Sequence, residues 1–528
     1  MTTGKALNGK PYAGNPHVRF DEGEVASAAM PRRGSLLYKE EMSMFAKREK
    51  SGWGVSVVMW MCLGAASLPS SAADRYWTGG GETLGMDEAA NWGGTAPGTS
   101  DTAIVKGNLE LAPATVPGGE TSYAFLVLGD TGSAVPSVAT EGFVLQTNGV
   151  MNVTGADGLR VGRLTGNTGT YMITNGTLNA LNSAAFVGIC GAKGLLKIDG
   201  DGVVNVNILT LASKGPFEST QKSEAYLEIG GNGRLNLKSE MRVSAQSGGK
   251  GYYAKVTQTG GTVTVASTVN IGYSSTGDYV MSGGQLNLTG TGKYFIVGGS
   301  DEGTFVQSGG AVTLPTKSIP YLGYNANVSG TYIMTGGTFE TATEGFLVGN
   351  KGTGLLDVSG TAVMTIKGNL NLGFAAGGRG TLKLHDGGKI IANHVKPYQG
   401  EAVLAQFDGG TLRARQKDDI LKNLSNIELK AGGLAIETAG FDLTVVNSKF
   451  NATPGGKISV TGGGTLTFDS ATTLSLTEKP NASYVFAETD GVFSGMPTLA
   501  AGSGARMRMS ADRRRIYIVR PGTMIIVR

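Results

Sequence analysis

The feature that most constrains this chain is one short phrase written eleven times between Asn148 and Leu412. It reads as an alternating strand, a Gly-Gly-type corner and a second alternating strand. Thr331-Tyr-Ile-Met-Thr-Gly-Gly-Thr-Phe339 and Asp278-Tyr-Val-Met-Ser-Gly-Gly-Gln-Leu-Asn-Leu288 are examples. The second corner residue falls at Gly149, Gly176, Gly202, Gly233, Gly261, Gly284, Gly310, Gly337, Thr361, Gly388 and Gly410. The ten intervals span 261 residues, a mean of about 26, within the range of stacked repeat arrays. An apolar residue followed by Gly recurs out of phase with the first phrase, as in Val161-Gly162, Ile271-Gly272, Leu322-Gly323 and Leu372-Gly373. Each repeat thus supplies at least two strands and two bends. This predicts an all-β chain wound as a single-stranded parallel β-helix, a β-solenoid with capped ends.

Rival repeat architectures fit less well. Gly at 85 of 528 residues is about twice the usual share, yet it lacks the every-third spacing of collagen. Leucine-rich frames are missing, and propeller blades of about 40–50 residues are too long. Transmembrane barrel strands need about 9–11 residues, whereas runs of four to six residues end here in Gly. Alternation sends every second side chain to one side of a strand. Val263 and Val265, Leu286 and Leu288, and Val312 and Leu314 should therefore stack inside at about 4.8 Å, with Thr262, Thr264, Asn287 and Thr313 facing water. The corner glycines are expected to supply positive φ. The Ser359-Gly360-Thr361 corner should bend differently.

Charge separates the chain into parts. Residues 1–73 hold nine Lys or Arg and six Asp or Glu, leaving 36 cations against 35 anions. The last 23 residues hold seven Arg and one Asp, so residues 74–505 stand at −5. No broad basic face for nucleic acid is expected. Of two cysteines, Cys62 lies in a segment expected to be removed. Cys190, beside Gly188 and Gly191, reads as a packed thiol with no neighbouring base.

Lys47-Arg-Glu-Lys50 precedes an apolar run from Trp53 to Leu68, followed by Ser71-Ala72-Ala73. This is the pattern of a secretory signal cleaved after Ala73, so residues 42–73 are expected to direct export across the inner membrane. Contact with the membrane is expected only through that segment or an unidentified anchor. Residues 1–41 are polar and aperiodic, and are expected to be a disordered or untranslated leader, with translation starting at Met42 or Met44. The remainder divides into an N-terminal cap (74–106), the solenoid (107–470) and C-terminal capping strands (471–528).

Beyond the regular coils come Phe407-Asp-Gly-Gly-Thr-Leu-Arg-Ala414, Gly432-Gly-Leu-Ala-Ile-Glu-Thr-Ala-Gly-Phe-Asp-Leu443 and Thr461-Gly-Gly-Gly-Thr-Leu-Thr-Phe468. The mature chain opens on Tyr76-Trp-Thr-Gly-Gly-Gly81, Ala89-Ala-Asn-Trp92 and Pro97-Gly-Thr-Ser-Asp-Thr-Ala103. Together these resemble the autotransporter-associated β-strand repeat family of bacterial secreted proteins. The resemblance implies a right-handed parallel β-helix, passenger-like, exported to the periplasm, the outer surface or the medium. The chain is expected to lack that family's own translocator barrel. The resemblance carries over no catalytic residue.

Few residues suggest chemistry. His385, Asp386, Lys389, His394 and Tyr398 form the one stretch grouping His, Asp, Lys and Tyr. Here His385 and Asp386 offer an acid–base pair, against a solvated corner as the plainer reading. Ile198-Asp-Gly-Asp-Gly202 begins like a calcium loop without completing it. Arg506, Arg508, Arg513, Arg514 and Arg515 alternate with apolar residues. They suit either a capping strand pair with a basic edge or a contact for an anionic surface. Trp77 and Trp92 suit a cap over the first coil. No catalytic residue, cofactor or metal is expected. The chain reads as an exported, non-enzymatic scaffold or adhesin whose partners are surface glycans or other surface proteins. The alternative is a β-helical polysaccharide lyase or glycoside hydrolase.

Overall fold

The computed structural model describes residues 72–522, apart from 108–112, 131–139, 215–221, 246–251, 343–344 and 401. The expected leader and nearly all of the expected signal peptide lie outside these residues. The chain is an all-β solenoid, and most coils contribute three strands, one more than the two strand phrases of the sequence require. In one coil Ser329–Met334 lies on the first face, Thr338–Thr341 on the second and Gly345–Val348 on the third. The first face is a parallel sheet of sixteen strands. Its fifteen steps of about 4.8 Å make it about 72 Å long. The second and third faces join into one sheet of 32 strands, because Thr177–Ile189 and Val203–Ser213 run from one face onto the other without a break.

Register explains why the coils hold together. Thirteen residues of the second face, from Met151 through Val263, Leu286, Val312 and Phe339 to Val460, pair one above the next. All of them are buried. Full burial of such a side chain contributes about 1.5–3 kcal/mol, and a coil obtains it only from its neighbours above and below. Coil length meanwhile varies, from 22 residues between Ile390 and Leu412 to 31 between Val204 and Leu235. The corners absorb the difference, so the inward column stays in step. On the outside of the second face, the amides of Asn152, Asn179, Asn205 and Asn236 form a ladder with 2.9 Å bonds between successive side chains.

The corners are of two kinds, which corrects the single role expected for their glycines. Gly149, Gly176, Gly261, Gly284, Gly310 and Gly337 do adopt positive φ. At Gly202, Gly233, Gly388 and Gly410 the left-handed conformation instead falls one or two residues earlier, on Gly200, Gly231, Gly387 and Gly409. Residues 199–202, 230–233 and 359–362 are four-residue turns, closed by bonds from Gly202, Gly233 and Ala362 to the carbonyls of Asp199, Gly230 and Ser359. Gly202 is therefore small because a Cβ would lie 2.8 Å from the Ile173 carbonyl oxygen. Thr361 occupies the third place of its turn, and Gly360, at φ 63°, makes the bend.

The winding runs past residues 107–470 at both ends. Asp74–Tyr76 pairs in parallel with Thr102–Val105, and parallel stacking persists to Thr498–Leu499. At the first coil Trp77 and Trp92 are buried edge-to-face, 5.2 Å between rings. There Trp92 Nε1 donates to the Met86 carbonyl. At the other end Arg515–Val519 turns antiparallel against Tyr484–Thr489, and Arg506–Met509 pairs with it. Those two pairings are the antiparallel strand ladders among the described residues.

Candidate functional site

The third face differs from the second in what it turns outward. From Thr262 to Thr341 the second-face strands turn mostly polar residues outward, among them Thr262, Thr264, Gln285, Asn287, Thr313, Thr338 and Glu340. Third-face strands present Tyr294 and Ile296, then Ile319 and Tyr321, then Leu347, then Asn369 and Asn371. Ile296 and Leu347 point away from the core yet are 5% and 4% exposed, because the corners on either side rise above the strands. The result is a trough. A recess of about 600 Å³ is lined by Lys317, Tyr321, Leu347, Lys367, Asn371 and Phe374. A second, of about 400 Å³, is lined by Arg242, Asn270, Tyr273, Lys293 and Tyr294. They lie end to end, with the Tyr294 and Tyr321 rings 5.6 Å apart.

The two lips carry different chemistry. Lys293, Lys317 and Lys367 are exposed in corners between the second and third faces, and none forms an ion pair among the described residues. Arg242, by contrast, is paired with Glu240 at 2.7 Å. The opposite lip carries Tyr273, Tyr324 and Phe374, each one residue after an apolar–Gly pair. Phe374 stacks on Tyr398 at 4.5 Å. Burial, with Tyr294 and Tyr324 nearby, pushes the Tyr321 hydroxyl up to about 12, so it stays a neutral donor. On the floor Asn371 is 7% exposed, and the buried Oδ1 atoms of Asn270 and Asn369 have no hydrogen-bond partner among the described residues. Buried amides normally find partners, and these two oxygens can each accept a hydrogen bond from a donor outside the described residues.

The histidine stretch is not brought together. His385 lies at the corner between the first and second faces, and His394 between the second and third, with Lys389–Ala392 separating them. His385 Nδ1 lies 2.7 Å from Asp386 Oδ2, and Nε2 lies 2.7 Å from Asp357 Oδ1. Partial burial pulls its pKa down, but the bonds to Asp386 and Asp357 outweigh this and raise it. Both ring nitrogens are engaged, which favours imidazolium over a general base. His394 faces Asp418 at 3.1 Å, and Lys389 binds Glu437 at 2.7 Å. Asp201 accepts from Asn232 across the next corner. Among the described residues no three metal-ligating side chains converge.

Arg506, Arg508, Arg513, Arg514 and Arg515 are all exposed, while Ile516 and Ile518 between them are buried. They sit on the terminal antiparallel strands and the turn joining them. Cys190 is a buried thiol. The trough was missed in the sequence because its signal, an aromatic residue after three of the apolar–Gly pairs and a lysine shortly before three of the third-face strands, belongs to corners rather than strands. No protein-family profile, curated protein or solved structure matches the chain.

Proposed function

We propose that this chain is an exported, non-enzymatic β-solenoid that works at the bacterial surface or outside the cell as a scaffold with adhesin-like binding. The observation that carries the reading is a rigid stack of coils holding a trough of unpaired lysines, aromatic rings and unpartnered amide oxygens along one face. A solenoid suits display, because each coil fixes its outward side chains at a set interval from those of the next. The apolar run from Trp53 to Leu68 between a basic flank and Ser71-Ala72-Ala73 supports export. The partners that fit are surface glycans or other surface proteins.

The test is where the protein sits and what it does there. Cells are fractionated into cytoplasm, periplasm, outer membrane and medium, and probed with antibody to the solenoid. Attachment is then compared with and without the gene. Surface or medium localisation with reduced attachment in the deletion strain is the expected result. A cytoplasmic protein, or release of sugar fragments from glycans by the purified chain, overturns it.

A further inference from the structure

We infer that the trough along the third face is a binding site for an acidic polysaccharide, a chain bearing carboxylate or sulfate groups. The inference rests on the scaffold reading for the biological setting, but its chemistry stands on the trough alone.

Four features converge. The outward column from Asn270 through Ile296, Tyr321 and Leu347 to Asn371 covers four coil steps, about 19 Å at the strand spacing. That length suits a polymer better than a single small molecule. One lip carries the rings of Tyr273, with the Arg242 guanidinium over one face, and Phe374, with Tyr398 stacked on one face, and the remaining ring surface suits the C–H faces of pyranoses. The floor offers Asn270 and Asn369, whose buried Oδ1 atoms lack a partner among the described residues, beside Asn371, which is 7% exposed. Sugar hydroxyls donate and accept, and so satisfy both ends of an amide. The other lip carries Lys293, Lys317 and Lys367, unpaired and exposed, on coils one and two steps apart. Among the described trough residues every unpaired charge is positive, although residues 74–505 are net negative. The lysines therefore select a polymer with its own regularly placed negative charge. A single-stranded nucleic acid also combines rings with charge, but it favours a groove with many backbone contacts, and among the described residues three unpaired lysines line this one.

The purified protein is titrated with polygalacturonate, heparin, dextran and an oligo-dT strand by calorimetry at two salt concentrations. Binding to one or both acidic polymers, weakened by salt, with little binding to dextran or oligo-dT, is the expected result. Polygalacturonate and heparin separate carboxylate from sulfate recognition. Lys293→Ser/Lys317→Ser/Lys367→Ser should weaken binding about tenfold or more and flatten the salt dependence, with an unchanged circular dichroism spectrum. Phe374→Ser should weaken binding while keeping the salt dependence. Equal affinity for dextran, tighter binding of oligo-dT or an unaffected triple-lysine variant would each overturn the inference. So would loss of binding only in Arg513→Ser/Arg514→Ser/Arg515→Ser, which would move the site to the C-terminal cap. Failure here leaves surface localisation and attachment untouched, and a cytoplasmic location leaves these titrations untouched.

Discussion

The hydroxyl of Tyr279 donates to Oε1 of Gln258 at 2.6 Å, tying one coil to the coil before it inside the solenoid. Both side chains are 0% exposed. Gln258 Nε2 in turn donates to the carbonyls of Gly260 and Gln285, one in its own corner and one in the next. Tyr171 with Gln146, and Tyr332 with Gln307, repeat the arrangement. Each glutamine thus ties the carbonyls of two successive Gly-Gly corners, and the tyrosine of the following coil completes its amide.

Removing the donor alone leaves a buried acceptor without a partner, which costs about 1–3 kcal/mol. Tyr279→Phe is therefore expected to lower the urea midpoint. Gln258→Leu should cost more, because it orphans the Tyr279 hydroxyl and withdraws a donor from the Gly260 and Gln285 carbonyls at once. The double variant should be less harmful than the sum of the singles, since the two side chains share one interaction. Additive losses in a double-mutant cycle would show that the pair acts only through packing.

The Asp357–His385–Asp386 corner gives a pH dependence with a definite sign. Burial lowers the histidine pKa, the bonds to both carboxylates raise it further, and the net shift is upward. A raised folded value means that the corner's contribution is fully present below the unfolded value of about 6.5. It is lost as pH rises through the folded value. Because Asp386 is 79% exposed, the effect is modest, at most about 1 kcal/mol. His385→Gln should be less stable than the parent near pH 5.5, and the gap should close towards pH 9. A gap that widens with rising pH would contradict the assignment.

The two kinds of corner predict different penalties for the same substitution. Gly337 has φ 77°, and a Cβ there would lie 2.4 Å from the Gly310 carbonyl oxygen. Gly337→Ala therefore combines backbone strain with a backbone clash and should cost about 2 kcal/mol or more. Gly202 has ordinary φ and meets the Ile173 oxygen at 2.8 Å. The equivalent place in the 359–362 turn already holds Ala362, fully buried. Gly202→Ala should accordingly cost about 1 kcal/mol, half as much or less. Denaturant midpoints for the two variants decide the matter, and equal penalties would mean that the turns are not equivalent.

How much of this was legible depends on what leaves a local signature. Val263, Leu286 and Val312 announce their shared column, because alternation and a repeated corner fix both inside and register. The third strand was hidden. Val269–Ile271 is three residues long, and the bend before it, Ser267-Thr268, carries no Gly-Gly. The apolar–Gly phrase proved to be the end of that strand. Gln258 sits inside against its polarity because only the folded corner supplies carbonyls to receive its amide. The trough was hidden for a related reason. Lys317 and Phe374 face one groove from corners 57 residues apart, and nothing local to either residue says so.

The C-terminal arginines make a final prediction that separates edge protection from ligand binding. Among the described residues Arg506–Met509 pairs with Arg515–Val519 on one side only, leaving an outer row of backbone donors and acceptors there. Charged side chains on such an edge discourage a second chain from adding to it. Arg506 and Arg508 are the exposed residues of that strand, alternating with half-buried Met507 and Met509, so they occupy the positions where charge would repel an incoming strand. Arg506→Thr/Arg508→Thr keeps strand propensity while removing both charges. This variant should retain the parent's thermal stability and circular dichroism, but form dimers or larger species as concentration rises, read by light scattering after size exclusion. A variant that stays as monodisperse as the parent at every concentration would show that the edge is guarded by something other than these two charges.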